Sequence, residues 1–334
     1  MLSLPSKSLE LIFPPARSSI APRSNGMASI ATKLKTLVED FQLGRLAPTG
    51  VESARCSLCG STNVACERRH WLHLPYEIPG SALHLRDQMH RRDNGVCRDC
   101  GLEQAFYKFS DEGRKVFYDL GLDVLASSPE FGLYPPSDAW QKQVHERFGY
   151  LRRLPKWEAW LAANRVPVPR RMLHLRCQYG EILRHFHEQH GTEVWGTDVV
   201  HACLRYVREH LPYVRIPEGS LAAQFELQFP PGTEFDLIIC FHTLTHSQNL
   251  RGDFELIGSW LAPGGVVVFS EEISKKQHNP FHMVHADETA FVRALRQFFH
   301  RVERIDDCGN HDPHTSPFTL KGDNPDYIVQ KEKN

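Results

Sequence analysis

The sequence contains no uninterrupted apolar run of the roughly 18 to 20 residues that a membrane-spanning helix needs. It also lacks an excess of either charge, because 39 Lys and Arg residues are balanced by 40 Asp and Glu residues. A chain without a basic excess has no overall field that attracts a polyanion. We therefore expect no membrane partner, and the charge balance disfavours nucleic acid as a substrate.

The composition is otherwise that of an ordinary globular protein. Of its residues, 41% are hydrophobic and 24% are charged. A length of 334 residues is enough for two domains. The first 26 residues are rich in Ser and Pro and predict a disordered tail, whereas residues 27–50 predict a short amphipathic helix. Neither a secretory nor a mitochondrial signal fits the tail, so we expect a cytoplasmic protein. The alternative explanation of these 26 residues is that translation starts at Met27.

Two Cys-x-x-Cys-Gly sequences stand in the N-terminal third of the chain. Each turn presents two thiolates to one metal ion, and the glycine that follows lets the backbone turn beneath the metal. Four thiolates complete a tetrahedral zinc site, which is structural because no coordination position stays open. Disulfides are the alternative, but Cys-x-x-Cys pairs close poorly and no export signal is seen. We predict a Zn²⁺ ion bound by Cys56, Cys59, Cys97 and Cys100.

The C-terminal half centres on residues 171–198, RMLHLRCQYGEILRHFHEQHGTEVWGTD. An apolar run enters a loop that ends at Gly180, and apolar residues at helical spacing follow the loop. A second apolar run stops at Asp198, about twenty residues further on, where a βαβ nucleotide fold places a carboxylate that binds ribose hydroxyls. The segment therefore predicts strand, tight turn, helix and strand around a nucleotide.

This block resembles the S-adenosylmethionine (SAM) site of class I methyltransferases, whose first motif usually reads acidic-x-Gly-x-Gly-x-Gly. His174 stands at the acidic position, Arg176 and Gln178 replace the first two glycines, and Cys177 and Gly180 fit the motif. A side chain forced to positive φ costs about 1 to 2 kcal/mol. Arg176 can pair with the carboxylate of the cofactor, or it can fill the space that SAM needs.

Later patterns extend the resemblance. A short strand is predicted at Tyr213–Ile216, and strand Phe235–Cys240 is followed by a His-x-x-x-His sequence. The turn Ala262-Pro-Gly-Gly265 leads into a further strand. The resemblance implies an α/β fold with a Rossmann-like, doubly wound, seven-stranded sheet. It also implies that the cofactor-binding residues are His174, Arg176, Cys177, Gly180, Asp198, Val199, Ser220, Cys240 and His242.

Methyl transfer from a sulfonium is an in-line displacement, so the protein supplies alignment and, for an acceptor that loses a proton, a base. A neutral imidazole near pH 7 suits proton removal. The candidate catalytic residues are His242, His246, Glu271 and His282. The alternative for His242 and His246 is that they only cap the strand and fix the adjacent loop. The alternative for His282 is that it faces solvent or belongs to a lid.

The stretch VCRDCGLEQAFYKFSDEGRKVFYDLG resembles the start of the zinc-binding domain that precedes the methyltransferase domain in a bacterial family. That family includes sugar C-methyltransferases. Its second Cys-x-x-Cys-Gly is followed by a Leu-x-Gln segment, here Leu102 and Gln104, and the resemblance covers about residues 56–118. It implies a small-molecule acceptor, either a sugar or a natural-product intermediate.

These patterns predict a tail (1–26), a helix (27–50), a zinc ribbon (51–118), a helical connector (119–165) and a methyltransferase-like domain (166–334). In the connector, helical spacing predicts one helix up to Leu154 and a second from Trp157 to Asn164. The competing hypothesis is a non-methylating relative, either a partner-binding scaffold or a repurposed catalyst, whose altered loop no longer binds SAM. The sequence carries no indication of oligomeric state.

Overall fold

The structure is a computed structural model that describes residues 55–70, 91–105, 150–199, 201–217, 227–241, 243–247, 249–271, 284–286, 288–305 and 326–332. The predicted tail and first helix lie outside these residues. Among the residues described, no helix combines the length and apolarity needed to cross a membrane.

The N-terminal part of the described chain is a small antiparallel sheet. Its first three strands are β1 (Val64–His70), β2 (Arg91–Cys97) and β3 (Glu103–Ala105), and β2 pairs with both neighbours. Cys56 and Cys59 lie in the turn before β1, whereas Cys97 ends β2 and Cys100 lies in the turn between β2 and β3. The sheet therefore brings together the two sequences that the zinc prediction joined.

The rest of the chain alternates helices and strands, as predicted for a doubly wound sheet. In chain order the elements are α1 (Tyr150–Ala163), β4 (Arg171–Leu175), α2 (Glu181–His190), β5 (Glu193–Thr197), α3 (His201–His210), β6 (Phe235–Phe241), a 3₁₀ turn (Leu244–His246), α4 (Leu250–Trp260), β7 (Leu261–Ser270), β8 (Val284–His285), α5 (Glu288–Leu295), β9 (Arg301–Ile305) and β10 (Asp326–Gln330).

Six of these strands form one sheet in the order β5-β4-β6-β7-β10-β9. The first four are parallel, and β10 runs antiparallel to both of its neighbours. The short strand β8 instead pairs with β3 of the small sheet. The closing antiparallel hairpin and the central parallel strands lie where the sequence predicted them.

The seventh predicted strand, Tyr213–Ile216, is reduced to one parallel bridge between Arg215 and Trp195. Two backbone hydrogen bonds support this bridge, from Gly196 N to Arg215 O (2.9 Å) and from Arg215 N to Val194 O (3.0 Å). Pro212 and Pro217 flank the segment, and proline has no N–H to donate to a ladder. The edge of the sheet therefore ends in a bridge where the sequence predicted a strand.

A single helix, α1, runs through the point where two helices were predicted to separate. Pro155 lies inside this helix and is exposed, so water can satisfy the carbonyl that the missing proline N–H leaves unpaired. One face of α1 buries Leu154, Trp157 and Leu161 against the sheet.

Two cores lie on the two faces of the main sheet. One face packs against α1, α2 and α3 through residues such as Trp157, Phe186 and Val207. The other packs against α4 and α5, and the same cluster includes Leu58 and Leu102 of the small sheet. The cysteine-containing unit therefore shares a core with the main sheet.

Candidate cofactor and active site

The carboxyl ends of the parallel strands form one row across the sheet. The strand register places Leu175 beside Thr197 on one side and Cys240 on the other. Phe241 in turn lies beside Ser270. The loops after β4, β5, β6 and β7 therefore leave the sheet at the same edge, where parallel α/β sheets bind ligands. Four predicted residues follow these strand ends, namely Arg176, Asp198, His242 and Glu271.

The loop after β4 keeps a left-handed backbone at the positions where the family motif has glycine. Arg176 has φ 59°, Gln178 has φ 51° and Gly180 has φ 78°. The Cys177 N–H donates to Thr197 O (2.8 Å), and the Gly180 N–H donates to Cys177 O (2.9 Å). The loop thus has the turn for which glycine is normally selected, although two of its residues carry side chains.

Space around this turn is limited where glycine is retained. A Cβ atom on Gly180 would lie 2.6 Å from Leu211 Cδ1, besides requiring the strained positive φ. A Cβ on Gly196, in β5, would lie 2.6 Å from Leu183 Cδ1 and 3.0 Å from Cys177 Sγ. A side chain at either position would therefore force a buried leucine to shift.

Asp198 binds the loop directly. Its Oδ2 accepts the Gln178 N–H at 2.8 Å, and the residue is only 4% exposed. Val199, the predicted packing partner of adenine, is buried as well. The predicted ribose carboxylate therefore also fixes the position of the loop that precedes it.

His174 is buried at the end of β4 without a hydrogen-bond partner for either ring nitrogen. Its ring meets Phe241 edge-on, with centroids 5.3 Å apart. Burial lowers the pKa of His174 to about 3, so the ring is neutral at physiological pH. A buried, unpartnered polar group costs about 1 to 3 kcal/mol, and this cost is recovered when a ligand or water supplies the missing bond.

Glu271 holds the 3₁₀ turn in place. Its Oε1 accepts the N–H groups of Thr243 (2.9 Å) and Leu244 (3.1 Å), and its Oε2 accepts that of Thr245 (3.4 Å). Burial raises the pKa of Glu271 to about 7, against the opposing effect of these N–H groups and of the Arg176 charge. Both carboxylate oxygens are engaged by backbone, which is the geometry of an anchor for the turn that contains His246.

A buried polar cluster at the same edge was not predicted from the sequence. Arg153 of α1 pairs with Asp326 at the start of β10 and donates to Ser270 Oγ (2.5 Å). The Trp157 Nε1–H donates to Asp326 Oδ2 (2.9 Å), and its ring lies 5.5 Å from that of Phe241. This cluster fixes α1 across the ends of β7 and β10. The one available sequence signal was a charged residue inside the apolar pattern of a helix.

Several predicted residues lie outside the described part of the chain. These are Ser220, His242 and His282. Of the remaining predicted residues, Cys177 and Cys240 are buried, and Cys240 Sγ lies 3.6 Å from Glu271 Oε1. Burial also raises the pKa of both thiols, so neither is a reactive thiolate. His246 ends the 3₁₀ turn and is half-buried.

The four predicted metal ligands converge in the small sheet. The sulfur atoms of the four cysteines all lie within 4.8 Å of one another, with 3.5 Å between Cys56 and Cys100 and 3.5 Å between Cys59 and Cys97. Gly60 and Gly101, which follow the two pairs, both have positive φ, as predicted. In a tetrahedral zinc site, ligand sulfurs about 2.3 Å from the ion lie about 3.8 Å apart, so these four sulfurs are close enough to bind one ion.

The Leu-x-Gln segment joins the two cysteine turns. The Gln104 side chain accepts the Ser57 N–H (2.8 Å) and donates to Arg55 O (2.8 Å), so it binds the backbone on both sides of Cys56. Leu102 is buried at 1% exposure in the shared core. Gln104 therefore holds the first cysteine turn in place, and Leu102 packs this part of the small sheet into the shared core.

Fold and site together define a class I methyltransferase domain. Its loop after β4 contains residues with positive φ, and an acidic residue, Asp198, follows β5. The profile of a family described as a methyltransferase domain matches residues 142–309, about half of the chain. The chain belongs to this family and is a SAM-dependent methyltransferase. No curated protein sequence matches the chain significantly.

Solved structures with a similar fold include several methyltransferases. A SAM-bound amino pentose methyltransferase from Micromonospora echinaspora is 17% identical, with 52% of this chain and 90% of that chain covered and a TM-score of 0.38. The N-methyltransferase NodS from Bradyrhizobium japonicum with S-adenosyl-L-homocysteine is 17% identical, with 64% and 96% covered and a TM-score of 0.42. A sugar N-methyltransferase from a Streptoalloteichus species is 15% identical, with 53% and 86% covered and a TM-score of 0.40. This similarity is too low to assign the substrate of any of these proteins to the present chain.

Proposed function

We propose that the protein transfers the methyl group of SAM to a small-molecule acceptor, a sugar or a natural-product intermediate. The observation that carries the proposal is the loop 175–180, in which Arg176 and Gln178 have positive φ although they stand where the family motif has glycine. The Gln178 N–H bond to Asp198 adds support, since it joins the loop to the carboxylate expected to bind ribose. When bound, SAM supplies an electrophilic methyl group on a sulfonium.

The residues of the chain fit such a ligand in defined ways. Asp198 would accept hydrogen bonds from the ribose hydroxyls, and Val199 would pack against adenine. Arg176 would pair with the carboxylate of the methionine part through its planar guanidinium. The neutral His174 would accept a hydrogen bond from a donor of the ligand or from a water bound beside it, because its ring nitrogens have no partner in the protein.

Proton removal from the acceptor is assigned to the histidines after β6. His246 ends the 3₁₀ turn and is half-buried. His242, four residues before it, and His282, which follows β7, remain candidates from the sequence. Glu271 is assigned a positioning task, because its two oxygens are occupied by the N–H groups of the 3₁₀ turn. We further propose that the four-cysteine cluster binds a structural Zn²⁺.

Calorimetric titration with S-adenosylhomocysteine tests the cofactor assignment. We expect micromolar binding by the wild type and a loss of about 1.5 to 3 kcal/mol in Asp198→Ala, as for hydrogen bonds to a charged acceptor. Asp198→Asn separates the two roles of this residue, because its amide oxygen can still accept the Gln178 N–H. The matched control is Asp236→Ala, which removes a carboxylate that binds the Arg170 and Arg171 N–H groups at the opposite edge of the sheet. The proposal would be contradicted if the wild type did not bind S-adenosylhomocysteine at millimolar concentration. It would also be contradicted if Asp198→Ala and Asp236→Ala lost the same amount of binding free energy.

The acceptor class is tested by transfer of labelled methyl groups. Zinc-loaded protein is incubated with labelled SAM and, in separate reactions, nucleotide-linked ketosugars, small natural-product amines and phenols, or bulk transfer RNA. We expect label in one of the small-molecule reactions and none in RNA. Label in RNA alone would overturn the small-molecule assignment while leaving the cofactor assignment intact.

A further inference from the structure

A second group of potential metal ligands lies between α1 and α2, apart from the four cysteines. Glu158 of α1 faces His185 and His190 of α2, and the ligand atoms of the three residues all lie within 4.8 Å of one another. Both imidazole Nε2 atoms point at the same carboxylate oxygen, Glu158 Oε1, at 2.8 Å for His185 and 2.9 Å for His190. Two rings from one helix thus converge on one carboxylate of its neighbour.

The local fold restricts these three side chains. His190 is the last residue of α2, and Gly191 ends the helix with φ 68° and an N–H bond to His187 O (2.9 Å). The rings of His185 and His190 both contact the buried Phe186, with centroids 5.6 Å away in each case. The convergence is therefore largely preformed.

The three side chains also supply donor atoms that suit a metal ion, two imidazole nitrogens and a carboxylate oxygen. One carboxylate and two imidazoles form a ligand set that borderline divalent ions favour.

We propose that Glu158, His185 and His190 bind a divalent transition-metal ion, with Zn²⁺ as the representative case, and that the ion fastens α1 to α2. Ligands about 2.0 to 2.1 Å from a tetrahedral ion lie about 3.4 Å apart, so each nitrogen moves outward by roughly half an ångström when the ion enters. The three side chains are 34%, 28% and 27% exposed, which gives an ion access from solvent and leaves a coordination position for water. Since α1 also carries Arg153 and Trp157, the ion would restrain the helix that covers the active edge.

The test uses full-length protein whose cysteine cluster has been loaded with zinc and dialysed. Titration with Zn²⁺ is followed by calorimetry for the wild type, His185→Ala, His190→Ala and Glu158→Gln, and S-adenosylhomocysteine binding is measured on the same samples. The matched control is His187→Ala, because His187 lies on the same helix but stacks on Tyr213 and not on this cluster. We expect one further equivalent to bind at micromolar concentration in the wild type and control, and at least tenfold more weakly in the three variants.

A second measurement guards against variants that fold poorly. Added Zn²⁺ should raise the thermal unfolding temperature of the wild type and of His187→Ala, but not of His185→Ala or His190→Ala. Equal zinc affinity in all variants, or no binding by the wild type at 100-fold molar excess of zinc, would overturn the proposal. Binding of S-adenosylhomocysteine reports separately on the proposed function, so the two proposals fail independently.

Discussion

Arg176 and Gln178 adopt a backbone conformation that L-residues with side chains normally avoid. Each left-handed residue costs about 1 to 2 kcal/mol relative to the right-handed region. The hydrogen bonds from Cys177 N to Thr197 O and from Gln178 N to Asp198 Oδ2 compensate by tying the middle of the turn to the end of β5 and the residue after it. Backbone strain of this kind is found most often at functional sites, where surrounding contacts hold it in place.

Replacing Gln178 with glycine should relieve this strain. We expect Gln178→Gly to raise the free energy of unfolding by up to about 1 kcal/mol, since the gain at positive φ exceeds the added entropy of the unfolded chain. The control is Gln189→Gly, at an exposed position of α2, which should lower stability by about 1 kcal/mol. Urea unfolding of the two variants measures both values, and a loss of stability in Gln178→Gly would contradict the strain argument.

The buried, neutral His174 should make the protein sensitive to acid. Its pKa is lowered to about 3 in the folded state, so below pH 6.5 the unfolded chain takes up a proton that the folded chain does not. The contribution is fully present above pH 6.5 and is lost as the pH falls toward 3, which amounts to about 2 kcal/mol by pH 5. Glu271, whose pKa is raised, acts in the opposite direction, since its contribution is lost as the pH rises from 4.5 toward 7.

Comparing variants isolates the histidine, because Glu271 is present in all of them. We expect the stability difference between pH 7.5 and pH 5 to shrink by about 2 kcal/mol in His174→Phe, whose ring can still pack against Phe241. His187→Phe, at a half-buried site stacked on Tyr213, should keep the wild-type difference. The same pH dependence in His174→Phe and in the wild type would show that His174 is not the acid-sensitive group.

At the scale of elements, α1 is held to the sheet by the Arg153–Asp326 pair as well as by apolar packing. Removing one partner of a buried ion pair leaves the other buried and unpaired, which typically costs about 3 to 5 kcal/mol. We expect this loss in Arg153→Ala, measured by urea unfolding. Arg304→Ala removes a comparable pair with Glu288 whose side chains are 40% and 47% exposed, and this variant should lose less than about 1 kcal/mol. Similar losses in the two variants would mean that the buried pair does not fasten α1.

The elements that the sequence predicted correctly are those with a local signal. Apolar spacing located α2, and the predicted strand 266–269 lies within β7. The turn predicted at Ala262–Gly265 is itself part of β7, which begins at Leu261. The structure differs where a distant partner decides the outcome. Arg153 and Asp326 are 173 positions apart, and no periodicity connects them. The sequence also could not show that the His174 ring nitrogens lack a hydrogen-bond partner, because it gives the polarity of a side chain but not its surroundings.

At the scale of the whole molecule, the four-cysteine unit is built into the methyltransferase domain. Arg251 of α4 donates from Nε to Leu58 O (2.8 Å) and from its backbone N to Ser57 O (3.0 Å). Strand β3 pairs with β8, and Leu58 and Leu102 are buried in one cluster with Phe254 and Phe291. A metal ion in this unit would therefore stabilise the face of the sheet opposite α1.

Removing the proposed zinc should accordingly unfold more than the small sheet. Because structural zinc sites bind with about 10 to 16 kcal/mol, we expect a strong chelator, or Cys100→Ser, to lower the stability of the whole domain by more than about 3 kcal/mol. Unfolding should stay a single transition, followed by calorimetry and by tryptophan fluorescence, to which Trp195 and Trp260 of the shared core contribute. Cys203→Ala removes a buried thiol outside the cluster and should leave the response to chelator unchanged. A separate early transition, with tryptophan fluorescence unaffected, would instead show that the cysteine unit unfolds independently of the methyltransferase domain.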